Sequence, residues 1–574
     1  MSLLFDRHAA LLEKALEACA KRYAWSAFPE SPSSRVHGAE LPARGKLLFD
    51  ALLGKDFDLD MPGARARAGA EVSPFTREPL GVRYPVLEPT LAIAAARRAL
   101  PAWREAGKRE RTGVCLEMLA RWGDPLALFV NAHATMHTAG QSYIMAFAGC
   151  GANALDRGLE ALALAWKAMA EIPEEADWAR GFGGPGKVRL RKRYRLMPRG
   201  VAVVVSCATF PQWNGYPAIL ANLATGNPVI LKPHPDAVLP VALALRTGRE
   251  VLREAGHDPE LLSMVVDTPG APRTLELLQD PACAIIDFTG SARFGGWIEQ
   301  NCRHAQVYTE TAGCNSVILE SATDLPAAAK AIAHSLCQAS AQMCTSVQNI
   351  YIPADGVRTP GATVPYAAAC ETIREAVDAH VADPANAAFL CGALVNDTVA
   401  QTVLRMREAA ASRGRILRDS APYAHPDFPQ ARTATPLMIG VEEGAHDLYG
   451  EERFGPVSFL IRAGSREAAL ADATALVRRR GAITSHVYST DTAFLRAAED
   501  AYHEAGASLA CNLTGMPINF AAAYSDFHVT GMTPAGSACL ADLAFVARRF
   551  SVVQCKWPAA ESLVAQGGPD VGEE

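Results

Sequence analysis

The chain has 574 residues, of which 49% are hydrophobic and 20% charged, and its formal net charge is −6. This composition is typical of a globular protein with a large core, and the length predicts roughly two to four domains. The negative charge argues against a general nucleic-acid binder, which is usually basic. The most apolar run, residues 200–210, is far shorter than the ~20 residues that span a membrane.

The first residues and the cysteines indicate a cytoplasmic protein. Charges at Asp6 and Arg7 interrupt the N-terminal apolar stretch, so it lacks the core of a signal peptide. The fourteen cysteines include no CxxC pair, which argues against a disulfide framework or a zinc ribbon. His133 and His137 are one helical turn apart, but no third ligand accompanies them. We therefore expect reduced thiols, no metal, and no membrane or nucleic-acid partner.

The N-terminal part of the chain is predicted to be mostly helical. Residues 1–70 form a helical extension without catalytic residues, broken by the Pro/Ser-rich stretch 29–38. A turn and a short strand follow at 73–86, and the pattern from 88 to about 179 is again helical. Residues 187–196 then alternate between basic and mostly apolar side chains, which predicts a strand with one charged face.

A regular alternation of strands and helices begins at Gly200. The apolar runs "GVAVVVS", "NPVILKP", "LLSMVVD" and "CAIIDFTG" are separated by helical segments. Because the runs are apolar on both faces, they predict parallel strands covered by helices on both sides. Such a doubly wound sheet binds ligands at the carboxyl ends of its strands. A second α/β block is predicted from about 314 to 530, and 545–558 is predicted to be one long strand that pairs with the basic strand.

Cys344 lies in "QASAQMCTSVQNIYIP", between a helical run that ends near Ser340 and a predicted strand. A thiol at such a junction can face a cleft, and a helix terminus can lower its pKa. A thiolate is a strong nucleophile towards a carbonyl carbon. Thirty-four residues earlier, "YTETAGCNSVILE" places Glu310 at a strand end, where it is either a general base or a simple cap or surface charge.

Other polar residues follow further strands of the first block. In "DFTGSARFGGW", Gly290 and Ser291 join a strand to a helix whose N-terminus suits a phosphate. Lys232 ends the strand in "VILKPHP", where it can hold a ribose hydroxyl or a 2′-phosphate. Glu452 and Phe454 lie in the loop "YGEERFGP". No GxGxxG follows the first strand of this block, so an ordinary Rossmann fingerprint is absent.

Together these motifs resemble the aldehyde dehydrogenase superfamily, in the same order over about residues 73–558. "ETAGCNS" is similar to that family's "ELGGKNP", "SAQMCTS" to its "GQxCTA", and "EERFGPV" to its "EEIFGPV"; "FTGS" and "ATGNPVILKP" also match. The resemblance implies an α/β fold with two doubly wound parallel-sheet domains, a small β oligomerisation element and a helical N-terminal extension. The implied parts are the extension 1–70, a cofactor-binding domain 71–312, a catalytic domain 313–533, and the strands 187–197 and 545–558 of a homo-oligomer contact.

The resemblance also implies an activity, the NAD- or NADP-dependent oxidation of an aldehyde to a carboxylic acid. In that reaction Cys344 would be the nucleophile, and Glu310 would activate the water that hydrolyses the thioester. The residues that match the family's cofactor contacts are Lys232, Gly290, Ser291, Phe294, Glu452 and Phe454.

The chain departs from the family pattern in three places, one of which, Ala312–Gly313 for the family's Gly-Gly, is conservative. Where the family has an asparagine that stabilises the oxyanion, this chain has Thr209, and Asn214 lies five residues later. Either side chain would be the catalytic donor, or the backbone N–H of Cys344 acts with less help; losing one such donor costs about a hundredfold or more. Where a carboxylate usually selects NAD, this chain has Pro235. NADP is therefore expected to be used at least as well as NAD.

The stretch "TFPQWNGYP" and the long N-terminal extension look most like the stand-alone PaaN-type aldehyde dehydrogenases of phenylacetic acid degradation. That resemblance implies a CoA-linked semialdehyde substrate in aromatic catabolism. One alternative is a CoA-acylating aldehyde dehydrogenase, but such enzymes generally lack the residue that matches Glu310. A second is a cofactor-independent thiol hydrolase, which leaves "FTGS" and Lys232 unexplained. A third is a binding protein with a decayed site, which Thr209 permits.

Overall fold

The computed structural model describes residues 3–182, 187–268, 270–311, 313–529, 536, 540 and 542–559, so the end of the predicted catalytic domain, 530–533, lies outside the described residues. Within these residues, no helix is both long and apolar enough to cross a membrane. The helices are α1 (Leu3–Arg7), α2 (Ala9–Lys21), α3 (Ser34–His37), α4 (Glu40–Asp50), α5 (Pro89–Glu105), α6 (Gly107–Trp122), α7 (Pro125–Ala139), α8 (Tyr143–Phe147), α9 (Ala154–Ala170), α10 (Pro211–Ala224), α11 (Leu239–Glu254), α12 (Thr274–Gln279), α13 (Ala292–Asn301), α14 (Leu325–Cys337), α15 (Tyr366–Val381), α16 (Pro384–Cys391), α17 (Asp397–Arg413), α18 (His446–Tyr449), α19 (Arg466–Arg480), α20 (Thr492–Glu504) and α21 (Leu543–Ala547).

The strands form two large sheets and several small ones. They are β1 (Ala66–Ala68), β2 (Tyr84–Val86), β3 (Glu175–Gly181), β4 (Lys187–Pro198), β5 (Val201–Val205), β6 (Val229–Lys232), β7 (Leu262–Met264), β8 (Cys283–Gly290), β9 (Gln306–Thr311), β10 (Ser316–Leu319), β11 (Asn349–Pro353), β12 (Val357–Arg358), β13 (Thr363–Val364), β14 (Arg415–Arg418), β15 (Leu437–Glu442), β16 (Val457–Ala463), β17 (Ser485–Tyr488), β18 (Leu509–Cys511) and β19 (Phe550–Pro558).

The first large sheet has the strand order β7–β6–β5–β8–β9, and all its neighbouring strands are parallel. Its strands β5 and β6 are buried on both faces, except for the half-buried end of β5, and helices such as α5 and α10 pack against them. This arrangement confirms the prediction, made from the continuous apolar runs, of parallel strands covered by helices on both sides. Because every strand runs the same way, the carboxyl ends of β5, β6, β8 and β9 meet along one edge of the sheet.

The second large sheet has the order β14–β15–β16–β11–β10–β17–β18, and only the β14–β15 pair is antiparallel. Successive side chains of a strand point to opposite faces, and both faces of this sheet are covered. Ile318 packs in one apolar cluster with residues of α19, whereas its neighbour Val317 packs in another with residues of α14. The sheet is therefore doubly wound, as the sequence predicted.

The third sheet contains the basic strand β4 in the order β19–β4–β3, with antiparallel pairs. β19 pairs with β4 along its whole length, so the predicted partnership of the two strands occurs within one chain. Two expectations are wrong. Residues 175–179, predicted to be helical, belong to β3, where Glu175 pairs with Arg191 and Arg193 across the strands. Residues 543–547, placed partly in the terminal strand, form the short helix α21.

The N-terminal extension is helical only over part of its predicted length. Helices α1 to α4 end at Asp50, and the chain then runs through turns to β1, which pairs antiparallel with β2. The expectation of helix up to residue 70 is therefore wrong. Helix α1 packs against α6 and α2 against α9, and apolar residues such as Phe5 and Leu12 are buried in the large core. The extension thus shares one continuous apolar core with the first large sheet.

A buried ion pair connects the end of the chain to the first sheet. Arg549, which precedes β19, is fully buried. Its guanidinium donates to both carboxylate oxygens of Asp287 at 2.6 and 2.8 Å and to Oδ1 of Asn222 at 2.9 Å. Asp287 belongs to β8, three residues before Gly290. The small sheet is therefore anchored to the strand that carries the predicted phosphate-binding turn.

Candidate active site

A cleft of about 510 Å³ opens at the carboxyl ends of the first sheet. Its lining comes from β5, β6, β8 and β9, and also from α17 and the loop before β16. The residues that the sequence predicted to be catalytic or cofactor-binding all line this cleft: Thr209, Asn214, Lys232, Pro235, Gly290, Ser291, Phe294, Glu310, Cys344, Glu452 and Phe454. Residues that are up to 245 positions apart in the chain are thus brought together where a doubly wound sheet binds its ligand.

Cys344 lies in the loop between α14 and β11, and Asn315 fixes this loop. Nδ2 of Asn315 donates to the carbonyl oxygens of Cys344 at 2.8 Å and Ser346 at 2.9 Å. Oδ1 of Asn315 accepts from the backbone N–H groups of Ile483 and Thr484. One buried side chain therefore connects the cysteine loop to the segment before β17 and holds the thiol at a fixed position in the cleft.

The Cys344 thiol lies in surroundings that disfavour its thiolate. Burial, followed by the neighbouring Glu310 carboxylate, raises the pKa of Cys344 well above its ordinary value. The expectation that a helix terminus lowers this pKa is wrong, because α14 ends at Cys337 and a short 3₁₀ turn, Gln338–Ala341, intervenes. A thiol in this position needs a proton acceptor before it can act as a nucleophile.

Glu310 stands near the end of β9 and is 1% exposed. Its Oε1 lies 3.0 Å from Nε2 of His528, and the same Nε2 lies 3.9 Å from Sγ of Cys344. His528 is a residue that the sequence reasoning missed. It belongs to the motif-free stretch "AAAYSDFHVT", 184 residues beyond the cysteine. No local pattern indicated that this histidine would reach the site.

The side chains of Glu310, Cys344 and His528 form one compact cluster. The nearest carboxylate, thiol and imidazole atoms lie within 4.8 Å of one another. The expectation that the protein binds no metal stays a prediction.

Lys232 ends β6 at the floor of the cleft and is 2% exposed. Its Nζ donates to Oδ2 of Asp267 at 2.9 Å and to the carbonyl oxygen of Pro233 at 3.0 Å. Burial lowers the pKa of Lys232, and the Asp267 carboxylate opposes that shift. The sequence suggested that Pro235 leaves this end of the cleft without a carboxylate, but Asp267 supplies one from the chain that follows β7.

The turn after β8 begins helix α13, as predicted. The Ser291 hydroxyl caps the helix by accepting from the backbone N–H of Phe294. A Cβ at Gly290 would lie 2.7 Å from the Phe288 ring, so any other residue there would require this ring to move. The N-terminus of a ten-residue helix at the wall of the cleft is a favourable place for a phosphate. These residues fit the pyrophosphate part of a dinucleotide.

Glu452 and Phe454 lie in the loop before β16, and hydrogen bonds from Gln348 hold that loop in place. Gln348 accepts from the backbone N–H of Arg453 at 2.6 Å and donates to the carbonyl oxygen of Glu451 at 3.1 Å. Burial raises the pKa of Glu452 to about 8. The ion pairs of the described residues include none for Glu452, and a carboxylate at this position can accept hydrogen bonds from sugar hydroxyls.

Thr209 and Asn214 are both buried at the wall of the cleft near the start of α10. Nδ2 of Asn214 donates to Oγ1 of Thr289 at 2.7 Å, which occupies one of its two N–H groups. The Thr209 backbone carbonyl accepts from Nε2 of Gln141 at 3.1 Å, so the main chain at this position is held firmly. The choice between the two as oxyanion donor stays open.

A second cavity, of about 230 Å³, adjoins the cleft at Cys344. Cys344 and Phe210 line both spaces, so Cys344 lies where the cofactor cleft and this cavity meet. We call it the substrate cavity; its other lining residues are Glu30, Met145, Ala148, Gly149, Asn153, Trp213, Gln338, Met343, Thr345, Asn519, Phe520, Ala521 and His528.

A thiol that borders both a dinucleotide-sized cleft and a separate cavity, with a buried carboxylate beside it, is an arrangement that suits a dehydrogenase with a nicotinamide cofactor. Residues 70–510 match the model of the Aldehyde dehydrogenase family, and the chain belongs to that family. It is therefore an oxidoreductase that oxidises aldehydes with a nicotinamide cofactor, and the predicted fold is confirmed.

Known proteins of this family resemble the chain to different degrees. The crystal structure of an NAD-dependent aldehyde dehydrogenase from Burkholderia multivorans has a TM-score of 0.93 and 44% sequence identity, covering 98% of this chain and 100% of that one. A vanillin dehydrogenase from Pseudomonas fluorescens is 26% identical, covering 66% of this chain and 73% of that protein. A 3,4-dehydroadipyl-CoA semialdehyde dehydrogenase from Aromatoleum evansii is 27% identical, covering 54% of this chain and 61% of that protein.

Proposed function

We propose that this protein oxidises a CoA-linked semialdehyde of aromatic catabolism, of the phenylacetate-degrading kind, to the corresponding acid. Cys344 is the nucleophile and Glu310 is the base that activates the hydrolytic water. The observation that carries the reaction type is the position of the thiol between the cofactor cleft and the substrate cavity, with Glu310 beside it.

The reaction proceeds through two covalent states of Cys344. The thiolate attacks the aldehyde carbon and forms a thiohemiacetal, whose oxygen is stabilised by the Thr209 hydroxyl or the second N–H of Asn214. A bound nicotinamide would supply the hydride acceptor for the oxidation, and Cys344 would then carry the acyl group as a thioester. Water then attacks the thioester carbon, Glu310 takes the water proton, and the Cys344 thiolate leaves the acid product.

The cleft has suitable residues for each part of a nicotinamide dinucleotide. Ser291, Gly290 and the N-terminus of α13 would hold the pyrophosphate, with Phe294 beside it. Glu452 would accept from ribose hydroxyls at the nicotinamide end, where Phe454 also lines the wall. Lys232 would hold a ribose hydroxyl at the other end of the cleft.

NAD is the preferred cofactor in this proposal, which revises the expectation from Pro235. Asp267 neutralises the charge of Lys232, so the lysine is not a free cation for a 2′-phosphate. The carboxylate would also repel that phosphate while accepting from the hydroxyls of an unphosphorylated ribose. The similar Burkholderia multivorans enzyme is described as NAD-dependent.

The substrate cavity favours an aldehyde with polar groups near its reactive end. Among the described residues, neither amide atom of the buried Asn519 has a hydrogen-bond partner, and Nε1 of Trp213 and Oε1 of Gln338 also lack one. Buried polar atoms are costly unless they are paired. A thioester carbonyl close to the aldehyde would supply an acceptor, whereas the CoA group itself exceeds the cavity and would remain outside it. The Aromatoleum evansii relative is named for a CoA-linked semialdehyde.

The rival functions make different use of the same residues. A CoA-acylating enzyme passes the acyl group from the cysteine to CoA and needs no water-activating carboxylate, whereas Glu310 is buried beside the thiol here. A cofactor-independent hydrolase would leave the cleft at Lys232 and Ser291 without a purpose.

A homo-oligomer of a cytoplasmic enzyme is also part of the proposal. Val552 and Val553 on β19 are 43% and 47% exposed, and they lie on an edge strand of the small sheet. An exposed edge strand with apolar side chains favours pairing with another copy of the chain.

The test is a panel of free and CoA-linked aldehydes, each assayed with NAD and with NADP. We expect reduced cofactor with CoA-linked semialdehydes at the highest kcat/KM, and free acid as the product. Asn519→Leu should raise the KM for the CoA-linked substrate, whereas Met145→Leu in the same cavity should not. A higher kcat/KM for simple apolar aldehydes would refute the substrate class, and acyl-CoA as the product would favour the acylating alternative.

A further inference from the structure

His528 is a buried titratable residue to which the reaction described above gives no role. It is fully buried, and its Nε2 lies 3.9 Å from the Cys344 sulfur and 3.0 Å from Oε1 of Glu310. Its other nitrogen, Nδ1, has no hydrogen-bond partner among the described residues. The ring meets that of Trp213 at an angle of 62°, with 6.1 Å between the ring centroids. The imidazole is thus held beside two reacting groups.

The thiol of Cys344 needs a neighbouring proton acceptor other than Glu310. If Cys344 lost its proton to solvent, a thiolate and the Glu310 carboxylate would both be charged within 4.8 Å of each other in a buried site. Like charges at such a distance strongly oppose ionisation. If Glu310 itself took the thiol proton, it would have to lose that proton again before it could activate water.

We propose that His528, in the neutral tautomer that carries its proton on Nδ1, is a further catalytic residue, which takes the thiol proton of Cys344 through the lone pair of Nε2. The S–H bond breaks as the Nε2–H bond forms, and the electron pair of the S–H bond stays on sulfur for attack on the aldehyde carbon. The imidazolium then lies between a thiolate and the Glu310 carboxylate, so the three groups carry one net negative charge instead of two. Glu310 remains unprotonated for the hydrolytic step. This inference rests on the proposed role of Cys344 as nucleophile.

Other ionisable groups around this site do not supply the same proton acceptor. Cys207, which follows β5, and Glu452, from the loop before β16, both act on the thiol in the direction that opposes ionisation. Arg157 of α9 is near the His528 loop, but it is paired with Glu160 at 2.8 Å and donates to the Asp526 carbonyl. His486 of β17 and His503 of α20 line a neighbouring cavity with His528. Among these groups, His528 alone has a nitrogen within hydrogen-bond distance of Sγ.

A purely positioning role for His528 makes a different prediction. If the ring only orients Glu310, its loss would slow hydrolysis of the thioester but would leave the pH dependence of thiol reactivity unchanged. If it is the thiol's base, its loss would shift that pH dependence, because the thiolate would form only at higher pH. The reactivity of Cys344 towards an alkylating agent separates the two roles without any substrate.

The experiment measures the alkylation of Cys344 by iodoacetamide from pH 5 to pH 10, with mass spectrometry of the cysteine peptides. The exposed Cys511 in the same chain is the internal reference. In the wild type we expect the Cys344 midpoint to lie below that of Cys511, whereas burial and Glu310 alone would place it above. His528→Asn should reverse this order and reduce the rate at pH 7 roughly 100-fold or more, the lower end of general-base effects. The gap between wild type and variant should close towards pH 10.

Glu310→Gln provides the matched comparison, because glutamine keeps an oxygen that can accept from Nε2–H of the imidazolium once the thiol proton has moved. This variant should retain Cys344 alkylation at neutral pH and lose only thioester hydrolysis. A wild-type midpoint above that of Cys511 would overturn the proposal, and this measurement needs no variant to fold. Unchanged alkylation in His528→Asn, or a loss in Glu310→Gln instead, would also overturn it. If Cys344 is readily alkylated yet no aldehyde is oxidised, the proposed function fails while the role of His528 in forming the thiolate stands.

Discussion

Replacing Asp267 by asparagine tests how the cleft selects its dinucleotide. Oδ2 of Asp267 lies 2.9 Å from Nζ of the buried Lys232, so the pair carries no net charge. Asparagine keeps an oxygen that can accept from Lys232 or from the backbone N–H of Arg273, which now donates to Oδ1 at 2.8 Å. The substitution removes only the negative charge, so this end of the cleft becomes cationic.

The gain for NADP follows from the freed charge of Lys232. A hydrogen bond to a charged group contributes about 1.5–3 kcal/mol, which corresponds to roughly 10- to 100-fold in affinity. We expect Asp267→Asn to lower the Kd for NADP by such a factor. The Kd for NAD should change much less, because NAD carries no phosphate on that ribose.

Isothermal titration calorimetry with both dinucleotides measures the ratio of the two Kd values. Asp236→Asn is the control, because this carboxylate accepts from Nδ2 of Asn396 at 2.9 Å and is not among the described residues that line the cleft. An unchanged ratio in Asp267→Asn, or an equal shift in the control, would show that Asp267 does not select the cofactor.

Three further outcomes are expected. Burial raises the pKa of Glu452 to about 8, so its carboxylate forms as the pH rises through that value. The affinity for NAD, measured by calorimetry, should therefore increase between about pH 7 and 9. A similar increase in Glu452→Gln would contradict this. Asp287→Ala removes the carboxylate that balances the charge of the buried Arg549, so chemical denaturation should show a loss of about 3–5 kcal/mol. The exposed Asp60→Ala should cost less than ~1 kcal/mol. A chain without residues 550–574 should elute as a monomer or aggregate in size-exclusion chromatography, and an unchanged native mass would argue against the β19 contact.

The parts of the fold that could be predicted from the sequence are those indicated by a short run of consecutive residues. The buried parallel strands are continuous apolar runs, so β5, β6 and β8 were recognisable without any knowledge of their neighbours. The residues around Cys344 and Ser291 lie in short motifs that match those of the aldehyde dehydrogenase family and follow one another in the same order. Each of these signals is contained in a few consecutive residues.

The features that sequence missed depend on contacts between distant segments. β3 contains alanine and charged residues that suit a helix equally well, and it becomes a strand because it pairs with β4. Asp267 and His528 stand in no motif, and only the fold brings them against Lys232 and Cys344. The helix-terminus argument for Cys344 failed for the same reason, since the charges that act on the thiol come from other strands.

Acylation of Cys344 during turnover is tested most directly in Glu310→Gln, which slows hydrolysis of the thioester. The variant is mixed rapidly with the CoA-linked semialdehyde and NAD, quenched in acid, and digested for mass spectrometry, with Cys344→Ala as the control. We predict a burst of about one equivalent of reduced nicotinamide per active site, and an acyl group on the peptide that contains Cys344. Oxidation of the aldehyde without a burst and without an acyl group on that peptide would contradict the role of Cys344 as nucleophile.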